Sequence, residues 1–229
     1  MIEYKNRTYR EHLQKERWYS FTVAYKETDL WIGIDQASFQ ESIPIFTESR
    51  IRTLRESMDA YLQNDPDYAT SLVPYEAQPG APTIFQEMSE VARKSGIGPM
   101  SAVAGAVASR IGQEVKEKYG VREIIVENGG DIYADIQENI DIAVFAGASP
   151  LSEKVGFTLR ADHAPLGICT SSGTVGPSLS FGKADAVMII CKNCALADTY
   201  ATAFANEIKT TDDIDISCSK TIFIRCCTL

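Results

Sequence analysis

Histidine is scarce in this chain, long apolar runs are missing, and positive charge is not in excess. Only His12 and His163 occur, and neither has a serine or cysteine nucleophile motif beside it. The local sequence therefore does not support a hydrolytic triad. His163, close to Arg160, Asp162 and Pro165, reads as a polar loop residue, with an acid/base role as the alternative. No run reaches the roughly 18 apolar residues of a membrane span. Glu3, Lys5 and Arg7 put charge where a secretory signal needs an apolar core, so a cytoplasmic protein without a membrane partner is expected. A net charge of -9 leaves little positive surface for a phosphate backbone, and nucleic acid is not expected as a partner. A Walker-type phosphate loop is missing too. Five residues separate Gly176 from Gly182, one more than the motif has, and Ala184 stands where Ser or Thr should hold magnesium. No repeat or low-complexity tract occurs.

What is present is an ordinary globular composition, with enough apolar side chains to bury a substantial core. Alternating aromatic residues over 19–25, a turn at Glu27 to Asp29 and renewed alternation over 30–35 predict a β-hairpin. Ile51, Leu54, Met58, Tyr61 and Leu62 have helical spacing within 47–64, which ends at Asn64, Asp65 and Pro66. A Pro/Gly-rich break at 78–82 divides an N-terminal hairpin-helix part, 1–77, from a main part, 83–229, within one domain over 1–229. Helices are predicted over 83–94 and 100–119, the second beginning almost wholly in Ala, Gly, Ser and Val, which lets another backbone or a ligand come close. Strands follow over 123–127, 132–136, 140–146, 155–160, 166–170 and 186–190, then a helix over 194–208 and a closing hairpin of 215–218 with 221–226. Short strand connections with grouped helices predict an α+β fold whose strands after Val121 form one mainly antiparallel sheet.

Three segments carry chemistry. At Asn128, Gly129, Gly130 and Asp131 a strand ends in a turn that can take positive φ at either glycine. A plain hairpin accounts for it, and so does a surface left bare for a flat or phosphorylated ligand. The loop from Thr170 and Ser171 through Gly173 to Gly176 can bind an anion through backbone amides, or be a polar surface loop. On the last long helix, Asp198 and Thr202 stand at i and i+4 on one face as two hard oxygen ligands suited to magnesium. An exposed face, or Thr202 bonding back to the Asp198 carbonyl, is the alternative.

The cysteines are Cys169, Cys191, Cys194, Cys218, Cys226 and Cys227. Cys191 and Cys194 have the spacing of half a zinc site or of a dithiol, at a helix N-terminus where the dipole lowers a thiol pKa. Cys226 and Cys227 are too close together to complete such a zinc site. Structural zinc, reactive thiols and buried thiols stay open.

In this order, the small-residue helix, the Asn128 to Asp131 turn, the Thr170 to Gly173 loop and the Asp198 to Thr202 helix resemble the ApbE family over about 96–206. That family contains flavin transferases that move FMN from FAD onto a protein threonine with magnesium, and its older name is thiamine biosynthesis lipoprotein. The resemblance implies an ApbE-like α+β fold of the tunnelling-fold type. It implies Asp198, Thr202 and a backbone carbonyl of Ser101 or Ala102 as magnesium ligands. Gly129, Gly130, Asp131, Thr170, Ser171 and Gly173 would bind FAD or another flavin or adenine nucleotide. The family's Lys-Gly pair falls at Ala104 and Gly105, and its His-x-x-x-Pro-x-Thr-Gly segment has no counterpart after the Thr170 loop, which implies divergence from FMN transfer. The likeness is greatest to a cytoplasmic ApbE-like branch common in archaea and anaerobic bacteria, whose archaeal relatives are associated with sulfide assimilation into cysteine and homocysteine. A persulfide sulfur carrier using Cys194, Cys191 or Cys169, with a sulfur-transfer partner protein, is thus one alternative, and a non-catalytic ligand-binding scaffold another. A homo-oligomer is expected.

Overall fold

The computed structural model describes residues 17–175 and 179–219. The chain begins with β1 (Trp18–Tyr25) and β2 (Thr28–Asp35), an antiparallel hairpin in which Tyr25 faces Thr28 across a tight turn with Lys26 at φ 55. The helical segment follows: α1 (Ser42–Asn64), a short α2 (Pro66–Thr70) and α3 (Thr83–Ser95). α1 starts before the predicted 47, because Pro44 falls in its first turn, where the missing N–H has no intrahelical partner to lose. The region predicted as one helix over 100–119 is a 3-10 turn, Pro99–Ala102, followed by α4 (Val103–Tyr119).

Six strands make one sheet in the order β1-β2-β3-β4-β7-β8, antiparallel throughout, with β3 (Ile124–Asn128), β4 (Asp131–Asp135), β7 (Leu166–Ser171) and β8 (Val187–Cys191). β5 (Ile140–Ala143) and β6 (Gly156–Leu159) do not join it, contrary to the single sheet predicted after Val121. Among the described residues they pair only with each other, and their apolar residues Ile140 and Leu159 pack with Trp18, Trp31, Ile125, Leu166 and Met188 on one face of the large sheet. A two-stranded ribbon needs such a platform, being marginal in water alone.

Strand alternation divides the core accordingly. Ile32, Ile34, Ile124, Val126, Tyr133, Cys169 and Ile189 point into the main core with Ile51, Phe85, Val107, Ile111 and Ala201 from the helices. The N-terminal hairpin is therefore the outer third of the same sheet. The last long helix, α5 (Cys194–Glu207), lies on β7 and β8 and packs against α3 and α4.

The predicted hairpin at 215–218 is instead part of a helix, α6 (Asp212–Ser219), and its second strand, 221–226, lies outside the described residues. Asp213 accepts from the backbone N–H groups of Lys209 and Thr210, at 3.0 and 2.8 Å, and starts a helix whose first turn carries three aspartates. Negative charge at a helix N-terminus is stabilising and outweighed the short β-like pattern.

Candidate functional site

The site lies where the β3–β4 turn meets the start of α4 and the middle of α5. Gly129 and Gly130 form the turn with φ of 70 and 107, the paired positive values a two-residue hairpin turn requires. The Gly130 N–H donates to Glu127 Oε1 at 2.7 Å, so this amide is not offered to a ligand. The glycine's outer side is open, since an added Cβ would meet nothing closer than the Thr170 carbonyl oxygen at 3.9 Å. Asn128 Nδ2 donates to the Ala104 carbonyl at 3.1 Å and ties the turn to α4.

Asp131, the first residue of β4, points to the helix side. Its Oδ1 accepts the Thr170 N–H at 3.3 Å, and the Cys169 thiol also donates to it. Burial raises its pKa to about 7, the Cys169 and Thr170 hydrogen bonds pull it down, and the Glu127 charge adds to the rise. Asp198 reaches the same region from α5, buried, with Oδ2 accepting the Gly105 N–H at 2.8 Å and a further bond from the Ala104 amide. These are first-turn donors of α4 that have no intrahelical partner. Burial, then the charge of Asp131, holds the Asp198 carboxyl well above the usual carboxylate range, against the two amide bonds. Two buried carboxyls thus act on each other, and among the described residues the groups acting on them are amides, a thiol and another carboxylate, with no cationic side chain.

Close packing sets this geometry. A Cβ at Gly105 would lie 2.5 Å from the Cys194 carbonyl oxygen and 3.0 Å from Asp198 Cβ, and one at Gly167 would lie 2.3 Å from Cys194 Cα. The small-residue helix start does let another backbone approach, and that backbone is α5.

Thr202 is half-buried one turn beyond Asp198, and its hydroxyl makes no hydrogen bond among the described residues, including none back to the Asp198 carbonyl. Ser101 directs its hydroxyl elsewhere, to the Gly98 carbonyl at 2.7 Å and to Thr199 Oγ1 at 2.8 Å, which leaves only its backbone carbonyl for the expected ligand role. Thr199, fully buried, also meets Ser95 Oγ at 2.7 Å. This three-hydroxyl cluster fixes the 3-10 turn to α5, and sequence spacing gave no sign of it.

The loop after β7 departs from expectation. Its amides are used within the protein: Thr170 N–H by Asp131, Gly173 N–H by the Ala184 carbonyl at 2.8 Å, and Thr174 and Val175 N–H by Ser172 Oγ at 3.1 and 2.9 Å. Among the described residues of the loop, these four amides are not turned toward an anion. Gly173 also packs against Gly182, whose carbonyl oxygen would stand 2.2 Å from an added Cβ. What the loop does offer is the half-buried hydroxyls of Thr170 and Ser171. Gly176 lies outside the described residues.

The cysteines are rearranged relative to their sequence spacing. Cys194 touches Cys169, Sγ to Sγ 3.7 Å, and its own Sγ faces the Ile132 carbonyl at 3.4 Å. Cys191 faces the Asn193 carbonyl at 2.9 Å on the other side of the α5 N-cap, where Asn193 Oδ1 accepts the Leu196 N–H. The expected low thiol pKa at this helix start is reversed. Cys169 draws the Cys194 pKa down, but burial with the charges of Asp131, Asp198 and Glu87 leaves it raised. Burial, then the bond with Cys194, raises Cys169 well above normal, and burial raises Cys191. Neither Cys169 nor Cys194 is an accessible thiolate. Among the described residues no group of three or more His, Cys, Asp or Glu side chains is placed to hold a metal ion, which leaves the zinc reading of Cys191 and Cys194 without ligands. His163 is exposed beside Asp162, and no helix of the described residues is long and apolar enough to cross a membrane.

The family model described as "AbpE bacteria" matches residues 10–222. A UPF0280 protein of Methanosphaerula palustris is 39% identical over 185 residues, covering 81% of this chain and 76% of that protein. A UPF0280 protein of Methanocaldococcus jannaschii is 34% identical over 199 residues, covering 86% and 78%. Among solved structures, the flavin transferase ApbE from Vibrio cholerae superposes with a TM-score of 0.58 at 12% identity, over 92% of this chain and 93% of that one. The ApbE protein of Thermotoga maritima gives 0.53 at 13% identity, over 92% and 94%. The α+β architecture with its antiparallel sheet is the fold of those proteins.

Proposed function

Because the chain belongs to this ApbE-like family, we propose that it binds magnesium with a flavin or adenine-nucleotide ligand between the Gly129–Gly130 turn and α5. The observation that carries the reading is the burial of both Asp198 and Asp131, with the Asp131 charge acting on Asp198 and no cationic partner for either among the described residues, an arrangement a hard cation would relieve. Asp198 would supply a carboxylate oxygen, Thr202 a hydroxyl and Ser101 or Ala102 a backbone carbonyl. Ligand phosphate and water would complete the shell, since magnesium is bound by few protein oxygens. When bound, the ion supplies charge neutralisation for a pyrophosphate. The bare outer side of Gly130 gives a flat ring room to approach the backbone, and Thr170 and Ser171 offer hydroxyl hydrogen bonds to a phosphate or sugar.

FMN transfer itself is not part of this reading. Ala104 stands where the family's lysine falls, and its amide serves Asp198. The chain keeps the ligand pocket in a form diverged from that reaction. Calorimetry of FAD, FMN and ADP with and without magnesium tests this: affinity that depends on magnesium in the native protein and is lost in Asp198→Ala, with a smaller loss in Thr202→Ala, supports it. Equal affinity with and without the ion removes the cation site.

A further inference from the structure

We infer that Cys169 and Cys194 form an intramolecular disulfide when the protein meets a hydroperoxide, and that the bond joins β7 to the first turn of α5. The two cysteines are 25 residues apart in sequence, yet their sulfurs are in contact at 3.7 Å in a buried setting. A disulfide needs about 2.05 Å between sulfurs, a closure of the size that side-chain rotation supplies when the backbones are already close. Gly167 shows that they are, because nothing larger than a hydrogen fits between β7 and the Cys194 backbone at that point. The partner that spacing suggests for Cys194 is Cys191, but Cys191 hydrogen-bonds the Asn193 carbonyl and Cys194 touches Cys169.

Both cysteines are buried, so a small oxidant reaches them only as the structure opens locally. With Cys194 reacting first, its sulfur attacks one peroxide oxygen: the S–O bond forms, the O–O bond breaks, and the departing hydroxide takes the thiol proton as water. Cys169 then attacks the sulfenic sulfur. The S–S bond forms, the S–O bond breaks, and a second water leaves with the Cys169 proton. Overall the two thiols lose two protons and two electrons, and hydrogen peroxide is reduced to two waters. The bond would link the strand that carries Thr170 and Ser171 to the helix that carries Asp198 and Thr202, and would remove the thiol donor from Asp131. It does not depend on which ligand the site takes.

The test is oxidation of the native full-length protein with hydrogen peroxide, alkylation of the remaining thiols in denaturant, and peptide mapping by mass spectrometry. The expected product is a peptide pair linking Cys169 to Cys194, lighter by two hydrogens, reversed by dithiothreitol, still formed in Cys191→Ser and lost in Cys169→Ser. Any other pairing as the main product, over-oxidation without a cross-link, or no change overturns the inference. So does an equal yield of the same link from denatured protein, because native geometry would then not be selecting the pair. The mapping of unsubstituted protein stands even where a cysteine variant fails to fold.

Discussion

The carboxylate of Asp198 accepts the Gly105 N–H at 2.8 Å, so the residue proposed to hold a cation also closes the N-terminus of α4. Its two roles separate by substitution. Asparagine keeps an oxygen for the amide and loses the charge, whereas alanine loses both.

Asp198→Asn is therefore expected to stay folded with a melting temperature near that of the native protein, while magnesium-dependent ligand binding falls roughly tenfold or more, as for the loss of a charged interaction. Asp198→Ala should lose binding and in addition about 0.5–2 kcal/mol of stability as α4 loses its cap. Calorimetry beside urea denaturation distinguishes the two; equal destabilisation by both variants would refute the capping role.

The contribution of the Asp131 carboxyl to stability should fall as pH rises from about 4 to 7. Asp131 has a folded pKa of about 7, above its value of about 3.9 in an unfolded chain. The folded state therefore binds more protons across this window. The contribution is fully present below the unfolded pKa and is lost as pH passes through the folded one. Asp198, raised in the same direction and acting on Asp131, extends the loss to higher pH. Asp131→Asn should flatten the slope in urea titrations across this range. In the native protein, magnesium should flatten its upper end, and a slope unmoved by either change would count against the carboxyl pair.

Thr199→Val removes the hydroxyl that joins Ser95 to Ser101, while each serine keeps a backbone carbonyl partner, Ala92 and Gly98. A loss of about 0.5–1.5 kcal/mol is expected. Thr199→Ser, which keeps the hydroxyl, should recover most of it. Similar losses in both would show that the methyl group, not the hydrogen bonds, is what matters.

Gly105→Ala and Gly167→Ala place a methyl group against the Cys194 backbone, where neither strand nor helix can yield cheaply. Each should destabilise by about 1–3 kcal/mol or more, and Gly105→Ala should also weaken ligand binding by moving Asp198. Gly120→Ala is the contrast: nothing lies within 4 Å of the added methyl, and only the φ of 65 opposes it. Its effect should be confined to stability, and a matching loss of binding would show that α4 responds as a whole.

Much of the architecture was legible because it is written in local pattern. The alternation through Leu30, Ile32 and Ile34 and the helical spacing of Ile51 and Met58 located their elements directly. The paired glycines at 129 and 130 marked their turn, and the i, i+4 spacing put Asp198 and Thr202 on one helix. What local pattern does not hold is the choice of partner. Cys194 has Cys191 three residues away in sequence and Cys169 against it in space, because alternation along β7 turns Cys169 toward the helices. The same limit hid the use of the Thr170 loop amides by Asp131, Ala184 and Ser172, and the departure of β5 and β6 from the main sheet.

The sheet order places β2 beside β3, with Leu30 opposite Asn128 and the whole of α1 to α4 lying between them in the chain. During synthesis the first hairpin therefore leaves the ribosome with its inner edge open, and Ile32 and Ile34 have no sheet neighbour on that side until Val126 and Ile124 have been made. Closing so long a loop loses entropy before any pairing repays it. The hairpin, the first portion of the sheet to be made, can therefore dock only once β3 has been made. Until then its free edge is the part of the nascent chain most open to pairing with the wrong strand.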